Sequence, residues 1–530
     1  MKNTIKRTIA MLGACMFVFS GAACGGNDEY KDKKKISASI FFGEFGVEWL
    51  ENLAEEWNST TESGYYVDVD SDINLSGTIA SNIKSGSTYD FYINEDCGFQ
   101  QLIRDGYLED LSDLLSVKPD GTVSIQEKIK DYEKWQSVAA YDEKMYMLPF
   151  NISPVGLVYN HDRFIKNGWL LTDADGTLTA GKDGVKGTYD DGQPTTMAEF
   201  KTMLSVIKVS NLESVFAYMG SEHPEYVNNI IYAYLAQYLG EENYEIFLAH
   251  DSNGKEVKMS DGSKQSISIQ EGYKTWQMDG MIQTADFIGD YLVNSAYVSD
   301  TVLTDPSFDV DASHVAFIKA SEEAPAFLLE GNWWEYGSYA LFESNVNYGG
   351  KGWNEDEYRY MLLPDIEGQA SEKSVFFSQT GGSIIVPKQN DSEKIKAIKE
   401  FLTFMLKDDN MAKVTANTGM MWNYNYTISS EQEATMTKFT KNTYKMMQDK
   451  ANIQIYSTFI DTSATPIYAY SALGTGSLMF GKDGQTLLTT EYRRTGDTAS
   501  FLSAIQSSYV TMDKWEAALN QAKSFGFYKD

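Results

Sequence analysis

From residue 36 the chain switches repeatedly between two hydrophobic spacings. Residues 36–42 form a short apolar run that reads as a strand, and Val47, Leu50, Leu53, Ala54 and Trp57 then recur on one face of a helix. Residues 65–69 alternate with period two, 75–83 return to helical spacing, and 91–93 give a third short strand. Strands alternating with helices predict a parallel sheet covered by helices, in which ligands meet the loops beyond the carboxyl ends of the strands. Those loops are 43–46 and 94–98, carrying Glu44, Phe45, Asn94, Glu95 and Asp96.

Residues 141–169 break this rhythm. Pro149 and Pro154 hold φ near about −65° and push their predecessors into extended geometry, so 150–155 reads as a stiff, non-helical passage containing Asn151. A buried strand over 155–159 follows, and Asn160 or Asp162 is placed to cap a helix that carries Phe164, Ile165 and Trp169 into a second core. Thr196 and Glu199 have capping-box spacing at the start of a helix over 196–207. Farther on come Glu330-Gly331-Asn332-Trp333-Trp334, then Gly381-Gly382-Ser383-Ile384-Ile385-Val386-Pro387, read as a glycine turn feeding a strand. A helix over 392–406 and Thr418-Gly419-Met420 complete the set.

This ordered set, spanning 36 to about 430, resembles the family 1 extracellular solute-binding proteins, the maltose-binding-protein-like carbohydrate receptors of ABC transporters. The resemblance implies a two-lobed α/β fold of the periplasmic-binding-protein type II class. Each lobe would be a mostly parallel sheet flanked by helices, and hinge crossovers would lie near 149–155, near 376–381 and after 422. Lobe 1 would comprise 36–150 plus about 380–425, and lobe 2 would comprise 151–379 plus about 426–530, with Pro149, Pro154 and Gly381 at the hinge. The implied function is binding, not catalysis: a monomer captures an oligosaccharide between hinged lobes and delivers it to ABC permease subunits.

The amino terminus supplies an address. Lys2, Lys6 and Arg7 precede an apolar stretch over 8–19, then small residues lead to Cys24, the layout of a secretory signal peptide over 1–23. Ser20-Gly21-Ala22-Ala23-Cys24-Gly25-Gly26 resembles a bacterial lipobox, although Gly21 stands where that motif prefers Leu. Lipidation at Cys24 would place the protein outside the cytoplasm, anchored to the outer face of the cytoplasmic membrane, with 24–35 as a charged tether. The apolar stretch is short of the about 20 residues a spanning helix needs. Removing 1–23 takes three basic and no acidic residues, moving the net charge from −31 to about −34. A surface this acidic excludes nucleic acid as a partner and leaves membrane attachment to the acyl chains. With Cys15 and Cys24 assigned to processing, Cys97 stands alone, so there is neither an intramolecular disulfide nor a thiolate zinc cluster.

Sugars have apolar C–H faces edged by hydroxyls, so aromatic planes suit the face, and Asp, Glu and Asn suit the edge. Trp333, Trp334, Trp422 and Phe45 are the aromatic candidates, although adjacent tryptophans diverge on a regular element. Glu44, Asn94, Glu95, Asp96 and Asn151 are the edge-binding candidates. No cofactor is required. Asp173, Asp175, Asp190 and Asp191, spaced among turn glycines, form a candidate structural calcium loop, although the same residues also make ordinary turns. The competing class is a surface lipoprotein glycoside hydrolase, which needs two positioned carboxylates about 5 or 9 Å apart. No Gly-x-Ser-x-Gly elbow, His-Glu-x-x-His or Walker loop supports catalysis. His161, His223, His250 and His314 read as isolated structural or surface residues.

Overall fold

The computed structural model describes residues 30–86, 88–95, 99–210, 212–221, 223, 225–457, 496–500, 503, 507 and 511–524. Cys15, Cys24, Asp96 and Cys97 lie outside the described residues. Within them, β1 (Lys34–Phe41) turns Ile36, Ala38 and Ile40 to the core, and α1 (Glu48–Thr60) buries Trp49, Leu50, Leu53 and Trp57. β2 (Tyr65–Asp72), α2 (Leu75–Ser85) and β3 (Phe91–Asn94) follow, with α2 stopped by Gly86 in the left-handed region at φ 75°. β1 pairs in parallel with both β2 and β3, so the alternating spacings give the layered α/β unit they predict.

Two long strands join this unit to the rest. β4 (Met147–Asn160) runs for 14 residues, about 46 Å at about 3.3 Å per residue. It leads into α3 (His161–Asn167), capped by the Asn160 side chain, which accepts from Arg163 N at 2.8 Å, and ended by Gly168. α4 (Met197–Lys208) opens with the Thr196–Glu199 capping box. The later strands are β5 (Phe216–Ala217), β6 (Phe327–Gly331), β7 (Tyr358–Met361), β8 (Ser374–Ile385) and β9 (Ile453–Ser457). Among the described residues the nine strands form one mixed sheet in the order β2-β1-β3-β8-β4-β6-β5, with β7 also on β4 and β9 on β8. The first half is parallel up to β3. The second is mixed, because β4 and β8 cross between the halves in opposite directions.

The sequence separates a stiff passage over 150–155 from a strand over 155–159, whereas the structure makes them one strand. Prolines inside a sheet interior sit at irregularities, since they cannot donate to the ladder. The β4–β8 register shifts in this region, between the Ser378 and Gly381 pairs and again between Gly381 and Ser383. The displaced donors are satisfied elsewhere: Ser153 N donates to Ser378 Oγ at 2.9 Å, and Ile152 N donates to Met421 O at 2.9 Å. Residues 421–423 thereby form a third pass beside the crossover, with Asn423 N on Phe150 O at 3.0 Å. The Gly381-Gly382 turn expected from sequence is also absent, since both residues lie inside β8. Gly382 serves close approach instead: a Cβ there would lie 2.4 Å from Asn151 Oδ1 and 3.0 Å from Asn94 O.

α5 (Val310–Ile318) packs against the core of the second half, whereas α6 (Ser392–Met405) returns to the first and sets Phe401 against Trp57 at 5.6 Å. α7 (Asp408–Thr418) ends in Gly419 at φ 78°. α8 (Lys438–Gln448) and β9 rejoin the second half, where Phe439 meets Trp334 and β9 pairs with β8. α9 (Met512–Ser524) docks there through Trp515, whose Nε1 donates to Ile269 O at 2.6 Å.

Candidate functional site

The carboxyl ends of β3 and β6 point at one another along the crossover. Asn94 is level with Ser383 and Pro149, and Gly331 is level with Val155 and Phe377. The six-residue interval on β4 spans about 20 Å. Loops from both halves fill this junction. Glu44 lies against Gly337, whose added Cβ would come within 2.6 Å of the Glu44 carboxylate, and Asn332 Nδ2 donates to Gly419 O at 2.8 Å.

The first half contributes Glu44, Phe45, Asn94 and Glu95 from the two strand-end loops, and Asn151 from β4. Phe45, Trp49, Phe150 and Met420 wall a small pocket that Gly43, Gly46 and Glu95 complete. Asn94 is buried; its Oδ1 accepts from Ser76 Oγ at 2.9 Å, while its Nδ2 has no hydrogen-bond partner. Asn151 is also buried, with Nδ2 on Ser153 Oγ at 3.3 Å and Oδ1 unpartnered. Glu44 Oε2 and Asn332 Oδ1 are buried and unpartnered in the same region. Buried polar atoms are normally satisfied, and Asn423 Nδ2 on the third pass is likewise buried without a partner.

The second half presents a paired network behind this wall. Glu330 is fully buried; its Oε1 lies 3.2 Å from His314 Nε2, and its Oε2 accepts from Gly331 N at 2.7 Å. Ser338 Oγ is 2.8 Å from His314 Nδ1, which fixes the ring from its other side. Burial pulls the His314 imidazolium down, but Glu330 with Glu44 and Asp311 outweighs it and holds the group above the usual histidine range. Glu44 is pushed up to about 8, first by burial and then by the Glu330 charge. Burial alone lifts Glu95 to about 7. Burial also lifts Glu335 to about 7, against the opposing hydrogen bond donated by Thr437.

The three tryptophan candidates separate cleanly. Trp422 is fully buried in the first half, edge-on to Trp49 at 5.7 Å and Phe150 at 5.6 Å, with Nε1 donating to Met411 O at 3.0 Å. Trp334 is fully buried in the second, among Tyr358, Phe317, Phe342 and Phe439. Both are core residues in this conformation, not faces offered to a ligand. Trp333 keeps 8% exposure, lies over Gly331 and meets Tyr226 edge-on at 6.3 Å. Gly331 is required there, since a Cβ would approach the Trp333 ring to 2.4 Å.

The acidic loop does not gather its carboxylates. Asp190 Oδ2 accepts from Lys182 N at 2.7 Å and Asp183 N at 3.0 Å, and its Oδ1 accepts from Thr188 Oγ1 at 2.8 Å. Asp175 accepts from Thr177, Asp191 Oδ2 accepts from Gly187 N while its Oδ1 is buried without a partner, and Asp173 pairs with Lys186 at 2.7 Å. Among the described residues no group of three or more His, Cys, Asp or Glu is placed to hold a metal ion. Sequence reasoning did not single out Trp49 or Met420 on the pocket wall, nor the pairing of Glu330 with His314. Trp49 could have been found, because it opens the helix directly after the 43–46 loop, whereas His314 and Glu330 meet only through the fold.

A two-lobed α/β body with polar loops converging at a three-pass crossover defines a solute-binding class. The chain belongs to the bacterial extracellular solute-binding protein family, whose profile matches residues 46–412. A comparison with curated proteins returns no match. A solved chitin oligosaccharide binding protein superposes with TM-score 0.58 at 14% identity, covering 93% of this chain and 100% of that one. The apo-form of RafE from Streptococcus pneumoniae gives 0.56 at 14% identity, over 91% and 98% of the two chains. RafE in complex with raffinose gives 0.54 at 15%, over 90% and 99%. At such identities the likeness is one of fold. No helix among the described residues is long and apolar enough to cross a membrane.

Proposed function

We propose that this chain is the sugar-capturing receptor of an ABC importer, anchored by lipidated Cys24 to the outer face of a bacterial cytoplasmic membrane. The observation that carries the reading is the set of unpartnered buried polar atoms that both halves bring to the crossover, on Glu44, Asn94, Asn151, Asn332 and Asn423. Hydroxyls along the edge of a sugar supply both donors and acceptors, and Phe45 and Trp333 stand as the aromatic candidates for its C–H face. The oligosaccharide-binding neighbours favour the same ligand class. Lobe 1 (36–150 plus about 380–425) and lobe 2 (151–379 plus about 426–530) close about Pro149, Pro154 and Gly381. Ligand contacts to both lobes exist only when shut, so ligand shifts the population toward the closed form that the permease reads.

A thermal-shift screen of the lipid-free protein against glycans, amino acids and short peptides tests this. Glycans alone should raise the melting temperature, by the mass action of a ligand that binds only the native state. A shift with peptides instead contradicts the carbohydrate assignment, and a shortened glycan recovered afterwards would return the hydrolase reading. For the anchor, Cys24→Ser should release the protein from membranes or leave it unprocessed, and Cys15→Ser should do neither.

A further inference from the structure

The loop over 331–337 reaches from the second half across the junction. Asn332 Nδ2 donates to Gly419 O, Gly337 lies under the Glu44 carboxylate, and the Tyr336 ring is 3.4 Å from where a Cβ on Gly46 would stand. Two residues of the loop sink the opposite way, Trp334 into the aromatic core and Glu335 onto the Thr437 hydroxyl. Both ends of the loop meet on one side chain. His314, on α5, is 1% exposed; its Nε2 lies 3.2 Å from Glu330 Oε1 just before the loop, and its Nδ1 lies 2.8 Å from Ser338 Oγ just after it. Glu330 and Ser338 are fully buried, and the second Glu330 oxygen is taken by Gly331 N at 2.7 Å. The two ring nitrogens point to opposite sides, so one rigid group spans both oxygens, and each nitrogen keeps a partner in either charge state. Holding the loop at both ends removes freedom that a ligand would otherwise have to freeze on binding.

Resting on the reading of this junction as the sugar site, we propose that His314 is a positioning residue for capture: it clamps the 331–337 loop at both ends, so that Asn332 is offered to ligand and to Gly419 in one geometry. His314 itself stays buried behind the loop, joined to it through Glu330 and Ser338. Asn332 depends on the clamp because its Oδ1 has no partner in the protein and its Nδ2 is tied only across the junction. Losing the clamp therefore lowers affinity through Asn332 even where the protein stays folded.

Calorimetric titration of the full mature protein uses the tightest binder among maltotriose, raffinose, xylotriose and the N-acetylglucosamine trimer. His314→Phe, which keeps a ring and removes both bonds, should weaken binding at least about tenfold, and Ser338→Ala, which removes one, roughly threefold. His314→Gln, able to restore the Glu330 bond, should recover part of the loss. A double-mutant cycle separates positioning from support: Asn332→Ala should cost about tenfold in wild type and less than about twofold on top of His314→Phe. Additive losses, or wild-type affinity in both folded clamp variants, make His314 scaffold and overturn the inference while leaving the sugar reading intact. Asn332→Ala binding like wild type overturns it as well. Should His314→Phe fail to fold by circular dichroism, the cycle is run on Ser338→Ala, where the Asn332→Ala loss must shrink by about threefold or the inference falls. Binding of none of the four glycans by folded wild type overturns the sugar reading itself.

Discussion

The junction and the acidic loop are both dense in carboxylates, and Glu44 in the one and Asp190 in the other are treated in opposite ways. In the loop, Asp190 is buried with two backbone N–H groups and the Thr188 hydroxyl pointing at it, so its oxygens are used up in holding turns together. At the junction, Glu44 Oε2 is buried with no donor at all, beside other acids. The difference teaches that acidic residues mark a site by the partners they lack, not by their number. A satisfied carboxylate is scaffold, and an unsatisfied one is a demand on a ligand.

The adjacent tryptophans are both buried, Trp334 at 0% and Trp333 at 8% exposure, and there the expected effect is largest. Trp334→Ala should cost about 3–5 kcal/mol in denaturant unfolding, as a fully buried ring does. Trp333→Ala should lower stability far less and weaken glycan binding roughly 5- to 30-fold, the value of about 1–2 kcal/mol for one aromatic contact. Equal stability losses for the two would break the distinction. Asp190→Ala comes next, destabilising by about 2–4 kcal/mol because three donors lose their acceptor in a buried place. Below about pH 4.5, where Glu44 is protonated whether folded or unfolded, Glu44→Gln should leave unfolding nearly unchanged.

Titration sharpens the comparison further. Glu44, Glu95 and Glu335 have folded values above the ordinary 4.5, so the folded protein holds protons that the unfolded chain has released. Stability is therefore greatest below about pH 4.5 as far as these groups are concerned. It declines as pH rises to about 7 for Glu95 and Glu335 and to about 8 for Glu44. Denaturant midpoints taken across pH 5–8 should fall, and Glu44→Gln should flatten the upper part of the fall by on the order of 1 kcal/mol. A midpoint that rises through this window would contradict the assignment. The smallest effect belongs to the loop: chelator should leave the melting temperature unchanged, since Asp173, Asp175 and Asp190 already hold lysine, threonine or backbone partners and no metal-holding group of three is placed among the described residues. A drop on chelation, restored by calcium, would make the loop a metal site after all.

How much of this was legible in the sequence follows from the range of each interaction. Strands and helices through residue 94 and the Thr196–Glu199 box were readable, because spacing and capping act over a few residues. The join of 147–160 into one strand was not, because the register shifts that accommodate Pro149 and Pro154 depend on β8, more than 200 residues away. Gly382 looked like a turn because glycine's two uses, left-handed backbone and close approach, are identical in one dimension. Glu44, Asn94 and Glu95 could be picked out by their place at strand ends, and Asn151 by its place between Pro149 and Pro154. Trp422 and Trp334 could not be told from cleft residues, since the direction a ring faces is set by distant helices such as α7 and α8.

The central claim is that unpartnered atoms at the crossover are there for a ligand, and Asn151 isolates it. Isothermal titration of wild type and Asn151→Ala with the glycan that gives the largest thermal shift should show affinity weakened about tenfold, about 1.4 kcal/mol. Asn151 Oδ1 makes no hydrogen bond within the protein, and Asn151→Ala gives up the 3.3 Å bond from Nδ2 to Ser153 Oγ, so the ligand-free variant should lose stability by only on the order of 1 kcal/mol. Unchanged affinity in a folded variant would contradict the account.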